Sequence, residues 1–281
     1  MSFATFQCSR KLVLFAISSG RRFTNDQRNL HGFCSRRTCG ALASASHFDQ
    51  ANAQIGSTQL RILKPPADGV INVAFIVSDQ TALIDLAGPW EVFGDTMLAP
   101  HGGPWHGGDD MIMPFNLYTV SDSLKSISAA GLQVVPNYNF ENAPKPQVIV
   151  VPAQGGRSGA QKRWLLENAR TADITMSVCT GASMLAAYGL LDHQRATTHH
   201  MFVDDMQKKY SAVHFVTGLR YIDNGNVATA AGLSSGIDLA LHVVERYYGS
   251  DIAQATADYM EYRGELWKNP QYGGVKYVSG Q

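Results

Sequence analysis

Cysteine attacks carbon as its thiolate, and this chain sets one cysteine where a strand should turn sharply into a helix. In residues 174–191, ITMSVCTGASMLAAYGLL, five residues suited to a buried strand lead to Cys179. The small residues Thr180, Gly181, Ala182 and Ser183 follow, and Leu185, Ala186 and Leu190 then recur at helical spacing. A side chain at such an elbow projects from the carboxyl edge of a sheet. Free backbone N–H groups and the positive end of a helix dipole would surround it there, and both favour the thiolate. Read alone, the stretch fits a small, inert, buried cysteine equally well.

Two other stretches end at the same kind of place. In residues 83–93, LIDLAGPWEVF, Asp85 stands just before a helix, with Pro89 suited to its first turn and Trp90, Phe93 and Met97 on one face. Its plain role is a cap or turn carboxylate; its chemical role is a proton donor or acceptor at a sheet edge. The run QVIVV, residues 147–151, ends in Pro152-Ala153-Gln154-Gly155-Gly156, where glycines let backbone amides approach a ligand. A thiol, a carboxylate and paired amide donors at one edge are what attack on an electrophilic carbon requires.

The histidines carry less. His101 and His106 lie in a Gly-rich loop, residues 99–113, without the carboxylates or thiols of a metal site. A loop of that length is expected to be a functional lid or disordered. His199 and His200 are adjacent, so they should point in different directions and serve as structural histidines rather than one metal site. Ser235-Gly236-Ile237-Asp238 fits a capping box opening a helix, which makes Asp238 structural. No metal and no cofactor is expected.

The elements that must position these residues read as strands alternating with helices. Strands are expected over 71–77, 115–120, 147–151, 174–178, 213–216, 219–222 and 227–229, with a hairpin over 127–138 around Gly131. Helices are expected after Asp85 with Pro89 in the first turn, over 160–169, 202–209, from Ser235 and over 252–262. Near-continuous apolar runs such as INVAFIV suit parallel strands covered on both faces. The fold class is α/β, a three-layer sandwich with a mostly parallel central sheet, whose ligands bind at the strands' carboxyl ends.

Charge divides the chain. Among its 281 residues the formal net charge is +0, yet the first 48 hold seven basic residues against Asp26 alone, a balance of +6 that leaves −6 for the rest. The acidic body argues against a nucleic-acid partner, and no apolar run approaches the roughly 20 residues of a membrane span. Cys8, Cys34 and Cys39 also lie in the basic part, so Cys179 has no partner in the body. Residues 1–60 read as a targeting or export segment, or an over-extended start, and 61–281 as the globular domain. Ser35-Arg36-Arg37-Thr38 with Ala51-Asn52-Ala53 resembles a twin-arginine export signal, which points to the periplasm; an organellar presequence, or a cytoplasmic protein, is the alternative.

Four segments, IVSDQTALIDLAGPWEVF, VIVVPAQGG, SVCTGASMLAAYGLLDHQRATTHH and TAAGLSSGIDLALHVVERYYG, resemble the signature regions of the ThiJ/PfpI superfamily, of class I glutamine amidotransferase-like fold. The resemblance spans about residues 70–262. Within that superfamily the D-L-A-G-P and C-T-G-A forms are most similar to isonitrile hydratase and to the amidase-like half of certain AraC-type regulators. The resemblance implies Cys179 as nucleophile, Thr180 beside it in the catalytic set, Asp85 as acidic partner, a homodimer, and a small-molecule electrophile as substrate.

Departures from the wider superfamily narrow the chemistry. Glutamine amidotransferases carry a late H-x-E, whereas here His242 and Glu245 stand three apart; PfpI-type peptidases place His after the cysteine, where this chain has Thr180; glyoxalase-like relatives use Glu in place of Asp85. The expected activity is hydration of an isonitrile to an N-substituted formamide. The alternatives are a glyoxalase, deglycase or redox-stress protein, or a non-enzymatic ligand binder. A regulator would need a helix-turn-helix module, for which the residues before Gln281 leave no room.

Overall fold

The computed structural model describes residues 62–269. The targeting segment, the export signal and the other expectations for residues 1–60 lie outside the described residues.

Along the chain, β1 (Ile71–Ile76) leads through a turn to α1 (Leu83–Gly94), and β2 (Phe115–Ser121) follows a long loop. A hairpin of β3 (Ile127–Ala129) and β4 (Leu132–Val134) turns at Ala130 and Gly131, both with positive φ, and β5 (Tyr138–Asn139) returns to the main sheet. Next come β6 (Val148–Val151), α2 (Gly159–Asn168), β7 (Ile174–Val178), a single 3-10 turn at Cys179–Gly181, and α3 (Ala182–Ala187). The remainder is β8 (Arg195–Ala196), a 3-10 turn at His200–Phe202, α4 (Val203–Lys209), β9 (His214–Phe215), β10 (Tyr221–Asp223), β11 (Val227–Ala230), α5 (Ser235–Tyr248) and α6 (Ser250–Tyr259).

Seven strands form the central sheet in the order β10-β11-β7-β6-β1-β2-β5, parallel throughout except for β10 against β11. Strand faces alternate between two cores. Val73 and Phe75 of β1 and Val148 and Val150 of β6 pack with α1, α5 and α6, while Ala74, Ile76, Ile149 and Val151 pack with α2, α3 and α4. Both faces are apolar, which is why these strands read as unbroken hydrophobic runs. This is the three-layer α/β sandwich expected from the sequence.

From β1 the chain winds outward to β2, and from β6 it winds the other way to β7. The crevice between β1 and β6 is therefore the topological switch point, where ligands of such sheets bind. The loop carrying Asp85 follows β1, the Gly155-Gly156 loop follows β6, and the elbow follows β7. All three leave the carboxyl edge.

The long loop after α1 goes elsewhere. It connects the end of α1 to the start of β2, both at the amino edge, and it is a paired excursion in which Leu98 and Ile112 exchange backbone hydrogen bonds of 2.9 Å. It is not a lid over the elbow, and its His101 and His106 point to solvent. The capping-box expectation also fails: α5 starts at Ser235, but Asp238 pairs with Arg220 and accepts from Tyr262 instead of capping the helix. Its structural role stands, with a different partner.

Candidate active site

Cys179 occupies the left-handed region at φ 58°, a conformation that costs a non-glycine residue about 1–2 kcal/mol and turns the side chain out of the sheet. Hydrogen bonds hold it there. Its N–H donates to Ala231 O at 2.8 Å, and its carbonyl accepts from the Thr198 hydroxyl at 2.9 Å. The turn that follows passes so close to β6 that a Cβ on Gly181 would lie 2.1 Å from Val151 O. Glycine is the only residue that fits.

Around the sulfur are the N–H groups of Thr180 and Leu233 and the Thr180 hydroxyl, all of which favour the thiolate. Burial nevertheless dominates, the Asp85 charge adds to it, and the thiol is pushed up from its ordinary value. The sequence expectation of a thiolate set up by a helix terminus is thus corrected. The helix behind the elbow, α3, is six residues long and ends where the chain turns at Gly189, φ 78°, so its dipole is short, and the cysteine is buried. Burial therefore disfavours the thiolate more than the surrounding donors favour it.

Asp85 is the ionisable side chain whose charge the thiol feels. It sits in the first turn of α1, fully buried, its Oδ2 accepting from Ala153 N at 3.1 Å, while Oδ1 has no hydrogen-bond partner among the described residues. Burial raises the carboxyl to about 7, with the Ala153 bond opposing. Its alternative as a helix cap is excluded, since the residue before α1 is Ala82 and no side chain caps the helix. Two glycines let α5 approach closely beside it: a Cβ on Gly88 of α1 would lie 3.0 Å from Ile237 Cγ1, and one on Gly236 of α5 would lie 3.0 Å from both Val178 methyls of β7 and 3.2 Å from Pro89 Cγ of α1.

A carboxyl raised to about 7 in the folded state has a definite signature. The unfolded group ionises near 3.8 and the folded one near 7, so between those values the native state binds the extra proton and stability falls as pH rises, with the full cost reached above about 7. By size that cost is at most of the order of 4 kcal/mol. Asp85→Asn should lose most of this slope, measured as denaturant midpoints between pH 4 and pH 8; an unchanged profile would mean that the buried carboxyl is not the group titrating.

The glycine loop is arranged differently from expectation. Gly155 N–H donates to Asp79 O at 2.9 Å and Gly156 N–H to Ser78 Oγ at 3.2 Å, so both amides lock the loop after β6 to the loop after β1. Neither is free to hold negative charge on a substrate. The amides that face the reacting atom are those of Thr180 and Leu233, and Leu233, φ 45°, follows Gly232 at the end of β11.

His199 is the other residue that sequence reasoning set aside. Its ring does not diverge from His200 but stacks on it, with centroids 4.5 Å apart and planes at 26°. Nδ1 accepts from Met201 N at 3.3 Å, which puts the ring proton on Nε2, and burial lowers its pKa, with His200 adding to the effect. The ring lies against the Gly232 turn, where a Cβ would be 2.7 Å from His199 Cδ2. Thr-Thr-His after a short strand was the visible signal; the contact with Gly232 is long-range and left no local trace. His242 and Glu245 sit at the other end of the molecule, where the imidazole bridges Asp223 at 3.0 Å and Glu245 at 3.2 Å. Among the described residues no three His, Cys, Asp or Glu side chains are grouped to hold a metal ion, and no helix is long and apolar enough to cross a membrane.

The fold and its elbow define the class: an α/β sandwich presenting one buried cysteine after β7 and one buried acid after β1, both at the carboxyl edge of the sheet. Residues 71–246 match the DJ-1/PfpI family, and the chain belongs to it. It is 30% identical over 202 residues to isonitrile hydratase of Pseudomonas putida, covering 68% of this chain and 78% of that protein. It is 29% identical over 198 residues to the HTH-type transcriptional regulator GbdR of Pseudomonas aeruginosa, covering 68% of this chain and 50% of the regulator, so it spans half of that protein's length. A solved ThiJ/PfpI family protein from Pseudomonas syringae superposes with a TM-score of 0.60 at 22% identity, covering 83% of this chain and 88% of that one. DJ-1beta of Drosophila melanogaster gives 0.57 at 13%, covering 69% and 100%.

Proposed function

We propose that the chain is a cysteine-dependent hydratase that converts an isonitrile to an N-substituted formamide, with Cys179, Asp85 and Thr180 as its catalytic residues. The observation that carries this reading is a buried cysteine at a strained elbow, within electrostatic reach of a fully buried carboxyl whose Oδ1 has no hydrogen-bond partner among the described residues. Similarity to an isonitrile hydratase supports the choice of substrate.

In this mechanism the thiol proton passes to the Asp85 carboxylate as sulfur bonds to the terminal isonitrile carbon. Asp85 then returns the proton to that carbon, leaving a neutral thioimidate, R–N=CH–S–Cys. Water adds to the same carbon, its proton reaching nitrogen through Asp85. The C–S bond breaks, the hydroxyl proton returns to sulfur, and R–NH–CHO leaves. One water is consumed and the cysteine is restored. A carboxyl near 7 suits an acid that gives and takes one proton at neutral pH. The amides of Thr180 and Leu233 steady charge on sulfur, and the Thr180 hydroxyl orients the thiol.

The test is the purified protein with an alkyl isonitrile and, separately, methylglyoxal, with products followed by NMR. Formamide is expected from the first. Lactate from the second, with no formamide, would move the protein to the glyoxalase reading. Thr180→Val should fold normally and turn over roughly 10²-fold more slowly, the usual cost of one hydrogen-bond donor at a reacting centre. Full activity after dialysis against a chelator is expected, and loss restored by zinc would overturn the metal-free mechanism. The same reading takes the molecule to be a homodimer, which sedimentation measures directly.

A further inference from the structure

A cavity opens at the same edge, one strand beyond the elbow. Its volume is about 180 Å³, and its walls include Thr198, His199, Thr217, Arg220, Leu233 and Ser234. It shares its wall with the nucleophile: Thr198 holds the Cys179 carbonyl, and Leu233 N–H faces the Cys179 sulfur. The lining mixes hydroxyl, imidazole and guanidinium groups with the apolar side chains of Val203 and Leu219, and no Asp or Glu contributes to it.

Arg220 is the charged group of that lining, and its surroundings aim it. Only 9% of the residue is exposed. Its Nε donates to Asp238 Oδ2 at 2.6 Å and Nη2 pairs with the same oxygen, while Nη1 and Nη2 donate to Ser234 Oγ at 3.3 and 3.2 Å. Asp238 is fully buried on the far side, where Tyr262 donates to its other oxygen at 2.9 Å. The ion pair is therefore a fixed dipole with its positive end toward the cavity. The lining hydroxyls of Thr217 and Ser234 and the Nε2–H of His199 add donors of the kind an anion accepts from. A low-dielectric wall strengthens each of these contacts.

We propose that this cavity binds a carboxylate, so that the substrate of Cys179 is a small molecule with an electrophilic carbon a few bonds from a carboxylate. The proposal rests on the catalytic reading of Cys179. It narrows the isonitrile to a short isocyano acid. A hydrophobic isonitrile would set an apolar group against the Thr217 and Ser234 hydroxyls and beside the Arg220–Asp238 ion pair, a poorer match than a carboxylate.

The test uses the full-length protein and reads alkylation of the Cys179 peptide by mass spectrometry at pH 8. Iodoacetate and 3-iodopropionate are each compared with the corresponding amide, with glutathione as the reference thiol. The expected result is an acid-to-amide rate ratio about tenfold or more above that of glutathione for at least one length, saturating with reagent and suppressed by propionate. That is the size of effect a charge-assisted hydrogen bond contributes. Arg220→Lys should keep part of the preference and Arg220→Gln should abolish it. If Arg220→Gln does not fold, saturation and propionate protection in the unsubstituted protein decide alone. A ratio equal to that of glutathione at both lengths overturns the proposal.

Hydration of isocyanoacetate and of its ethyl ester separates the two claims. Equal rates on acid and ester keep the hydratase and sink the carboxylate site. No hydration of either, with the acid preference in alkylation intact, sinks the hydratase and keeps the site.

Discussion

Cys179→Ala should fold and lose turnover by roughly 10⁴-fold or more, falling to what positioned donors alone provide. The sulfur forms the bond that every later step depends on, and the described residues hold no second thiol near it. Asp85→Asn should be nearly as inactive, because burial disfavours the thiolate and Asn cannot take the thiol proton. Stability gives an independent check. At φ 58° alanine keeps the strain that cysteine has, whereas glycine does not, so Cys179→Gly should be more stable than Cys179→Ala by about 1 kcal/mol in denaturant unfolding. An active Cys179→Ala on the best substrate found would return this residue to the inert reading.

Gly181→Ala should be the most damaging single methyl group in the protein. Its φ of −54° suits any residue, so backbone conformation is not the issue. The added Cβ would meet Val151 O at 2.1 Å and the carbonyl carbon and oxygen of Pro152 at 3.0 Å, all main-chain atoms that no rotamer change can move. The elbow and the end of β6 must separate by about 1 Å. Such overpacking costs roughly 3 kcal/mol or more, and a displacement of that size at a reacting atom costs about 10²-fold in rate. Urea unfolding and kcat measured on the same sample test both parts. Wild-type values for both would mean that the elbow tolerates a wider turn than this packing allows.

Much of this architecture was legible because it is local. The β1 and β6 runs, the hairpin at Gly131 and the turn at Cys179 each announce themselves within a dozen residues through alternation, turn chemistry or small residues. Strand ends shifted by a residue or two, and β9 and β10 proved shorter than the runs that suggested them. The family motifs likewise pointed to Cys179, Thr180 and Asp85. What stayed hidden depends on partners far along the chain. Whether Gly155 and Gly156 offer free amides is decided by Asp79 and Ser78, more than seventy residues earlier. The role of Leu233 depends on a sulfur 54 positions away, and the state of the thiol depends on burial that no local pattern measures.

Helix α5 joins two ionisable centres that never meet. Its first turn braces the elbow through Gly236, while its last turns carry His242, Glu245 and Arg246, gathered around Asp223 at the amino edge of the sheet. Burial works against charging His242, yet its bonds to Asp223 and then Glu245 outweigh that and raise its pKa. Stability from this imidazolium is thus complete below its unfolded value of 6.5 and is lost as pH rises through the raised one. Chemistry, in contrast, follows Asp85 and Cys179 at the helix's other end. Substitutions around Asp223 therefore offer a lineage in a more alkaline niche a way to reset part of the scaffold's pH tolerance without touching the elbow, whereas any change at Asp85 moves stability and chemistry together.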